Sequence, residues 1–292
     1  MNKTVKISEV ISFLQATIKD YYGCKNTLFP TLSLLEYVTK KPGWWILAHP
    51  EKRLYSKQIE NVKIIKKRIE KYEPLQYITG FAEFWNLKFK VNRNVLIPRP
   101  ETEWIVDRAL RWLEKKSKEI KNKKIKIIDI GTGSGCIIIS MAKEIEMFKN
   151  SSIFEFYATD ISKKALEVAK ENALKNLGKR YKDIKFIRTN FFPKNMHFNV
   201  VLANLPYLSE KDFKKLPSYI KNYEPKNALI GGKYGVEKIQ EAVTLLPPHL
   251  EEDGIAFFEI PPEYHTTIDL YAKKFGLKPK YYPIHYLVSF SF

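Results

Sequence analysis

Asp129 precedes, by one residue, the run Gly131-Thr132-Gly133-Ser134-Gly135, which lies between the strand-like KIKIIDI and the helical GCIIISMAKEI. Glycines at this spacing let the backbone turn sharply and let a ligand approach the main chain. The start of the following helix adds free N–H groups and positive potential. The spacing is G-x-G-x-G, not the G-x-G-x-x-G of a dinucleotide loop, and no Lys-Ser/Thr pair follows as a P-loop requires. Asp160 ends the next strand-like run, IFEFYATD, 25 residues after Gly135. In a doubly wound sheet it would stand beside the glycine loop at the carboxyl edge, where ligands bind. A carboxylate there can take both hydroxyls of a ribose. Together these residues point to a nucleoside site, with Asp129 ordering the loop or facing a ligand's ammonium group. Without a ligand, the same residues read as a tight turn and a helix N-terminal acid.

A third cluster, Asn204-Leu205-Pro206-Tyr207, follows the strand-like FNVVLAN. It resembles the N-x-P-Y form of S-adenosylmethionine-dependent methyltransferases that modify a planar amide or amino nitrogen. The lone pair of such an NH2 group is delocalised, so the group is a poor nucleophile. The side-chain oxygen of Asn204 and the backbone carbonyl of Leu205 can hold its two hydrogens and aim the nitrogen. Positioning and electrostatics then supply most of the acceleration, and no strong base is needed. Pro206 would stiffen the corner and Tyr207 could pack on the planar group.

These residues need a scaffold. From about Pro100 onward, amphipathic helices alternate with short apolar strands, which argues a doubly wound α/β sheet. The helix KKALEVAKENALKNL has Ser162 as N-cap, and GVEKIQEAVTLLPPHL and TTIDLYAKKFG also read as helices. Before this, TGFAEFWNLKFKVNRNVLIP alternates at Leu87, Phe89 and Val91, with a turn signal at Asn92–Asn94, and reads as a hairpin. The first 75 or so residues read as short helices, with Val10, Phe13, Leu14 and Ile18, then Ile59, Val62, Ile65 and Ile69, at helical spacing. Trp44 and Trp45 there read as core or docking residues.

Composition narrows the classes. With 292 residues, 45% of them hydrophobic and 28% charged, the chain is neither disordered nor fibrous. No run of about 18 apolar residues occurs, which argues against a membrane-spanning helix. The first residues form no signal-peptide core, so a cytoplasmic location is expected. Cys24 and Cys136 fit no metal or disulfide pattern, and His49, His197, His249, His265 and His285 form no spaced set. The net charge of +18 suits a polyanionic partner. Only eight of the 50 basic residues are Arg, however, and the Lys fall in scattered runs such as Lys121–Lys124, which a Lys-rich composition also explains.

Nearly end to end, the chain resembles the release factor glutamine methyltransferases (the HemK/PrmC family). The stretches that carry the resemblance are Glu73–Gly80, Val95–Glu103 with its Pro-Arg-Pro-Glu-Thr-Glu run, the glycine loop, Thr159–Ser162, Asn204–Tyr207, Tyr223–Pro225 and Ala228–Gly235. The resemblance implies a Rossmann-like class I S-adenosylmethionine-dependent methyltransferase. Residues 1–76 would be a helical substrate-recognition domain, 77–98 a linking β-hairpin and 99–292 the catalytic domain. Cofactor contacts map onto Gly131 to Gly135, Asp160, Phe191 and Asn204. Substrate contacts map onto Asn204, Leu205, Pro206 and Tyr207, of which Asn204, Pro206 and Tyr207 would be catalytic. Pro98 to Thr102 would line the methionine end of the cofactor or the substrate channel. No metal is implied. The substrate would be the glutamine of the Gly-Gly-Gln motif in peptide chain release factors, with no membrane and no specific nucleic acid as partner, although the basic surface could touch nucleic acid nonspecifically.

The chain departs from the family pattern at Leu205, at Asn190 (usually an acid), and at Pro261-Pro262-Glu263-Tyr264, where the family usually has Gly and a later Gln. Glu224 would orient substrate or serve the structure. Two other readings stay open on the sequence. One is an adenine-N6 methyltransferase acting on RNA or DNA, favoured by the charge and by Leu205. The other is a non-catalytic ribosome or RNA-binding relative, against which the intact Asn204–Tyr207 corner argues.

Overall fold

The computed structural model describes residues 4–23, 25–116, 124–148, 151–282 and 286–292. Cys24, His285 and all but the last residue of Lys121–Lys124 lie outside these. The chain divides into two compact units, one of residues 1–81 with 217–223, the other of 82–216 with 224–292.

The first unit is helical, built on Ile7–Tyr22, Leu28–Thr39, Gly43–Ala48, Ser56–Ile69 and Leu75–Thr79. Val10, Leu14, Thr17 and Ile18 form the buried stripe of the first helix, while Phe13 stands off it and is exposed. Val62, Ile65 and Ile69 do the same for the fourth helix, packing against Leu34, Leu35 and Ile46 in one core. Trp44 is exposed, and Trp45 stacks on the His49 ring at 4.3 Å. Glu73 takes two hydrogen bonds from the Arg68 guanidinium at 2.7 and 2.9 Å. The same fork donates to the carbonyls of Tyr77 and Ile78 at 3.0 and 3.1 Å, using the planar geometry that Lys lacks. Arg68 thereby ties the end of its own helix to the Leu75–Thr79 turn. The segment 217–223 belongs here too, with Tyr219 edge-on to Tyr22 and the Tyr223 hydroxyl donating to the Lys71 carbonyl.

The hairpin pairs Phe81–Phe84 with Leu87–Lys90. Its turn is at Trp85-Asn86, both at positive φ (50° and 55°), as a two-residue turn matching strand twist requires. The sequence signal at Asn92–Asn94 is instead a local side-chain turn, with the Asn94 amide donating to Asn92 Oδ1 at 2.9 Å. The missed turn has an Asn, but its other residue, Trp, is not a usual turn former.

Seven strands then form one sheet, β1 Ile125–Ile130, β2 Phe154–Asp160, β3 Ile184–Arg188, β4 Phe198–Ala203, β5 Leu250–Glu259, β6 Lys278–Tyr282 and β7 Leu287–Ser291. Their spatial order is β6-β7-β5-β4-β1-β2-β3. All neighbours are parallel except that β7 runs antiparallel to both β5 and β6. Ile127, Ile128 and Ile130 are fully buried, because helices cover both faces, and such strands read as continuous apolar runs. Helices Glu103–Lys116, Cys136–Ile145 and Lys163–Leu177 pack with one set of alternating strand residues, and Glu237–Leu245 and His265–Lys274 with the other. The Ser162 hydroxyl accepts from the Ala165 amide at 3.2 Å, as an N-cap. The helix expected through Leu250 stops at Leu245, before Pro247-Pro248, since proline cannot supply an interior N–H.

One buried side chain joins hairpin and glycine loop. Asn172 accepts from the Lys90 amide at 2.6 Å and donates to the carbonyls of Lys90 and Ser134 at 3.0 and 2.9 Å. Asn172→Ala would leave these groups without partners, at about 1–3 kcal/mol for each one that water cannot reach. We expect this variant to lower the urea midpoint of the second unit by an amount equivalent to about 2–4 kcal/mol. A midpoint shift below about 0.5 kcal/mol would show that the side chain is not the joint.

Candidate active site

Strand register sets the site. Ile130 of β1 pairs with Thr159 of β2 and with Ala203 of β4, and Ala203 pairs with Phe258 of β5. The next residue on each strand is therefore Asp160, Gly131, Asn204 and Glu259, a row across the carboxyl edge with strands about 4.8 Å apart. Between β1 and β4 the strand order reverses, and a crevice opens at such a point. The cleft found there has a volume of about 290 Å³, at the small end for a small-molecule site.

Gly131, Thr132, Gly133, Ser134, Asp160, Phe191, Asn204, Leu205 and Pro206 all line this cleft. Gly135 and Tyr207 are not among its lining residues. Gly135 instead caps the helix Cys136–Ile145, where an added Cβ would sit 2.8 Å from Ile139 Cδ1. Tyr207 is half-buried against the core under β4 and β5, and burial pushes its phenol well above the usual tyrosine range. Pro98, Arg99 and Thr102 also line the cleft.

The loop is held from two sides. Asp160 Oδ2 accepts from the Gly133 amide at 3.0 Å, and Oδ1 from the Ser162 amide at 2.8 Å. Burial raises the Asp160 carboxyl above its ordinary value, and these amides pull it back. Asp129 does not line the cleft. It is fully buried, accepts from the Thr132 hydroxyl at 2.6 Å, and has Oδ1 without a partner. Of its two expected roles, ordering the loop is the one this geometry serves. Cys136 is buried, and its thiol is pushed up to about 12, so it is a packed residue and no nucleophile at neutral pH.

Asn204 closes the other side. Its Nδ2 donates to Thr102 Oγ1 at 2.7 Å, and Thr102 Oγ1 donates to Glu259 Oε2 at 2.7 Å. Asn204 Oδ1 takes no hydrogen bond from the described residues. Glu259 is buried, with its carboxyl raised mainly by desolvation and pulled back first by the Thr102 hydroxyl. Glu259 belongs to none of the motifs above. The signal was present, since an acid ending an otherwise apolar strand sits where Asp160 does on β2.

A second wall braces the corner. The Tyr264 hydroxyl lies 3.0 Å from the Tyr207 carbonyl and 3.1 Å from that of Tyr234. Gly231 packs so closely that a Cβ there would lie 2.4 Å from the Pro206 carbonyl oxygen. The departure at Pro261–Tyr264 thus supplies a brace. Glu224 proves structural, accepting from the Ile97 amide at 3.1 Å and from the Arg99 guanidinium at 2.5 Å. Asn190 lines the cleft as well, with its Nδ2 donating to Glu241 at 3.1 Å. His249 stacks on Phe192, and its Nδ1 lies 2.8 Å from the Met196 carbonyl.

Burial pushes the Asp129 carboxyl up to about 7 from 3.8. Between those values the folded chain holds a proton that the unfolded chain releases, so this group's contribution falls as pH rises through the window and is level above it. Asp129→Asn removes that slope. In paired urea titrations, we expect the stability of the wild type relative to this variant to decline from about pH 4 to about pH 7. A constant difference across the window would exclude the buried proton.

Comparison with known proteins bears on the fold and the family. The family profile described as a methyltransferase domain matches residues 121–252, and that of the PrmC N-terminal domain matches residues 31–80. The release factor glutamine methyltransferase of Thermodesulfovibrio yellowstonii is 38% identical over 208 residues, 70% of each chain. That of Flavobacterium psychrophilum is 35% identical, over 74% of this chain and 72% of its own. That of Lactococcus lactis subsp. lactis is 36% identical over 74% of each. Among solved structures, the hMettl16 catalytic domain in complex with MAT2A 3'UTR hairpin 6 superposes with a TM-score of 0.52 at 15% identity, covering 75% of this chain and 82% of that one, a likeness of fold. The chain belongs to the release factor glutamine methyltransferase family.

Proposed function

We propose that the chain transfers a methyl group from S-adenosylmethionine to the side-chain amide nitrogen of the glutamine in the Gly-Gly-Gln motif of a peptide chain release factor. The observation that carries the reading is Asn204, a carboxamide beside the glycine loop whose N–H is already engaged and whose oxygen is not. Membership of the family supports the choice of substrate. On this reading the site of action is the cytoplasm, where release factors work.

The residues present suit the cofactor. Around the position a Cβ would take on Gly133, the nearest atom is the Gly131 oxygen at 4.0 Å, so the loop leaves an open cradle. Each Asp160 oxygen accepts one backbone N–H and keeps a second lone pair for a ribose hydroxyl. Phe191, held at φ 56° with its carbonyl accepting from the Thr159 hydroxyl at 2.6 Å, offers a ring face for an adenine. When bound, S-adenosylmethionine supplies an electrophilic methyl group on a sulfonium centre.

The protein's part is positioning. Asn204 Oδ1 and the Leu205 carbonyl would each accept one N–H of the glutamine amide, fixing its plane and the direction of its lone pair. Leu205 in place of a proline leaves that carbonyl available. Pro206 keeps the corner stiff, and Tyr207, half-buried against the core, anchors it from behind the cleft. The helical unit 1–76 would bind the release factor, and 77–98 would link it to the catalytic domain.

Incubation with a release factor and tritium-labelled S-adenosylmethionine should place one methyl group on the Gly-Gly-Gln glutamine, read by peptide mass spectrometry. Label in RNA or DNA adenine with none in protein would overturn the substrate. Asn204→Ala should lower kcat by about 10²–10³-fold, the range for loss of one preorganised group. Asp160→Ala should weaken S-adenosylmethionine binding by calorimetry, by about tenfold or more, the worth of a hydrogen bond to a charged group.

A further inference from the structure

Thr102 and Glu259 are both buried, at 2% and 4% exposure, and they make a directed chain with Asn204. A threonine hydroxyl has one proton to give and can accept others. Glu259 accepts that proton at 2.7 Å. Thr102 Oγ1 is then an acceptor toward Asn204, and it meets Asn204 Nδ2 at 2.7 Å. The amide's other end, Oδ1, takes no hydrogen bond from the described residues, and Asn204 lines the cleft.

We infer that Glu259, acting through Thr102, is the positioning residue that fixes which end of the Asn204 carboxamide faces the substrate. The inference rests on the glutamine-methylation reading for what the exposed oxygen is used for. It does not rest on that reading for the orientation itself. Without Glu259, the Thr102 hydroxyl is free to donate to Asn204 Oδ1. The carboxamide then turns over, and its NH2 meets the substrate's NH2, donor against donor. The two carboxamide orientations are nearly equal in shape, so packing alone does not choose between them. Hydrogen-bond polarity does.

The scaffold supports this arrangement independently. Glu259 is the residue after Phe258, which pairs with Ala203, so β5 places the carboxylate level with Asn204. Thr102 ends the turn Pro100–Thr102, whose approach is fixed where Glu224 holds the Ile97 amide and the Arg99 guanidinium. Arg99, Glu101 and Tyr207 are the other charged or titratable groups acting on Glu259. None of them replaces Thr102 in contact with Asn204.

The test uses the full chain, with Thr102→Val, Thr102→Ser, Glu259→Met and the double variant Thr102→Val/Glu259→Met. Thr102→Val keeps shape and removes the hydroxyl. It should lower kcat about 10- to 100-fold, the cost of a small misplacement near the reacting atoms. KM for the release factor and affinity for S-adenosylmethionine should each stay within about threefold. Thr102→Ser should recover most of the loss. Glu259→Met should lower kcat similarly on its own and add less than about twofold on Thr102→Val, because a residue acting through another is not additive with it.

A second readout needs no turnover. The Asn204 side-chain NH2 resonance, assigned by its absence in Asn204→Asp, should exchange slowly with solvent in the wild type and in Thr102→Ser. It should exchange fast in Thr102→Val and Glu259→Met. Additive losses in the double variant, or a Thr102→Val enzyme with kcat within about twofold of wild type, would overturn the relay while leaving the methylation reading intact. A slowly exchanging resonance lost in both variants, in a chain that methylates no release factor, would overturn the methylation reading and leave the relay standing.

Discussion

Parallel pairing fixes the level at which each strand ends, and the whole site depends on it. Ile130 is opposite both Thr159 and Ala203, and Ala203 is opposite Phe258. Four strands therefore deliver an acid, a glycine, a carboxamide and a second acid to one line. A slip of one residue in any pairing would turn the delivered side chain to the other face of the sheet. The apolar content of β1, β2, β4 and β5 is what makes that slip costly, since it would move buried residues out of their layers. The chemistry at the edge thus inherits its precision from packing beneath it.

Buried acids are the electrostatic consequence. Asp129, Asp160 and Glu259 all lie where desolvation disfavours charge, and each is raised above its ordinary value. Their partners differ in kind. Asp160 is met by backbone amides, Asp129 and Glu259 by hydroxyls. Amides cannot be turned round, so Asp160 fixes the backbone of the loop. A hydroxyl can be turned, so Glu259, which faces one, can set a direction as inferred above. Asp129 is buried outside the cleft lining, and Asp160, which lines it, holds the loop amides.

Much of this was legible from residue types. Apart from the helix that stops at Leu245, the strand and helix runs after Pro100 stand where periodicity puts them, because long alternating apolar runs leave few other ways to bury themselves. Gly131 to Ser134, Asp160 and Asn204 to Pro206 meet in one cleft, as their positions after apolar strand runs suggested, and Phe191, expected from the family resemblance, lines it too. Other features were hidden for physical reasons. The hairpin turn at Trp85-Asn86 was obscured because Trp carries no turn preference, while Asn92–Asn94 carries one without reversing the chain. Gly135 and Tyr207 share a motif with cleft residues but serve the helix cap and the core. Glu259 and Tyr264 are far from their partners in sequence, and their roles appear only when β5 is set beside β4 and the brace beside the corner.

Asn172 carries a consequence for how such chains can vary. Its one carboxamide measures the gap between the hairpin's second strand and the bend after Thr132, touching both at fixed length. The path of chain between those two points, through the turn at Asn92 and the helix Glu103–Lys116, does not set their spacing. A change of length between Lys116 and Ile125 can therefore accumulate over evolutionary time without moving the hairpin off the glycine loop, provided the amide that spans the gap is kept.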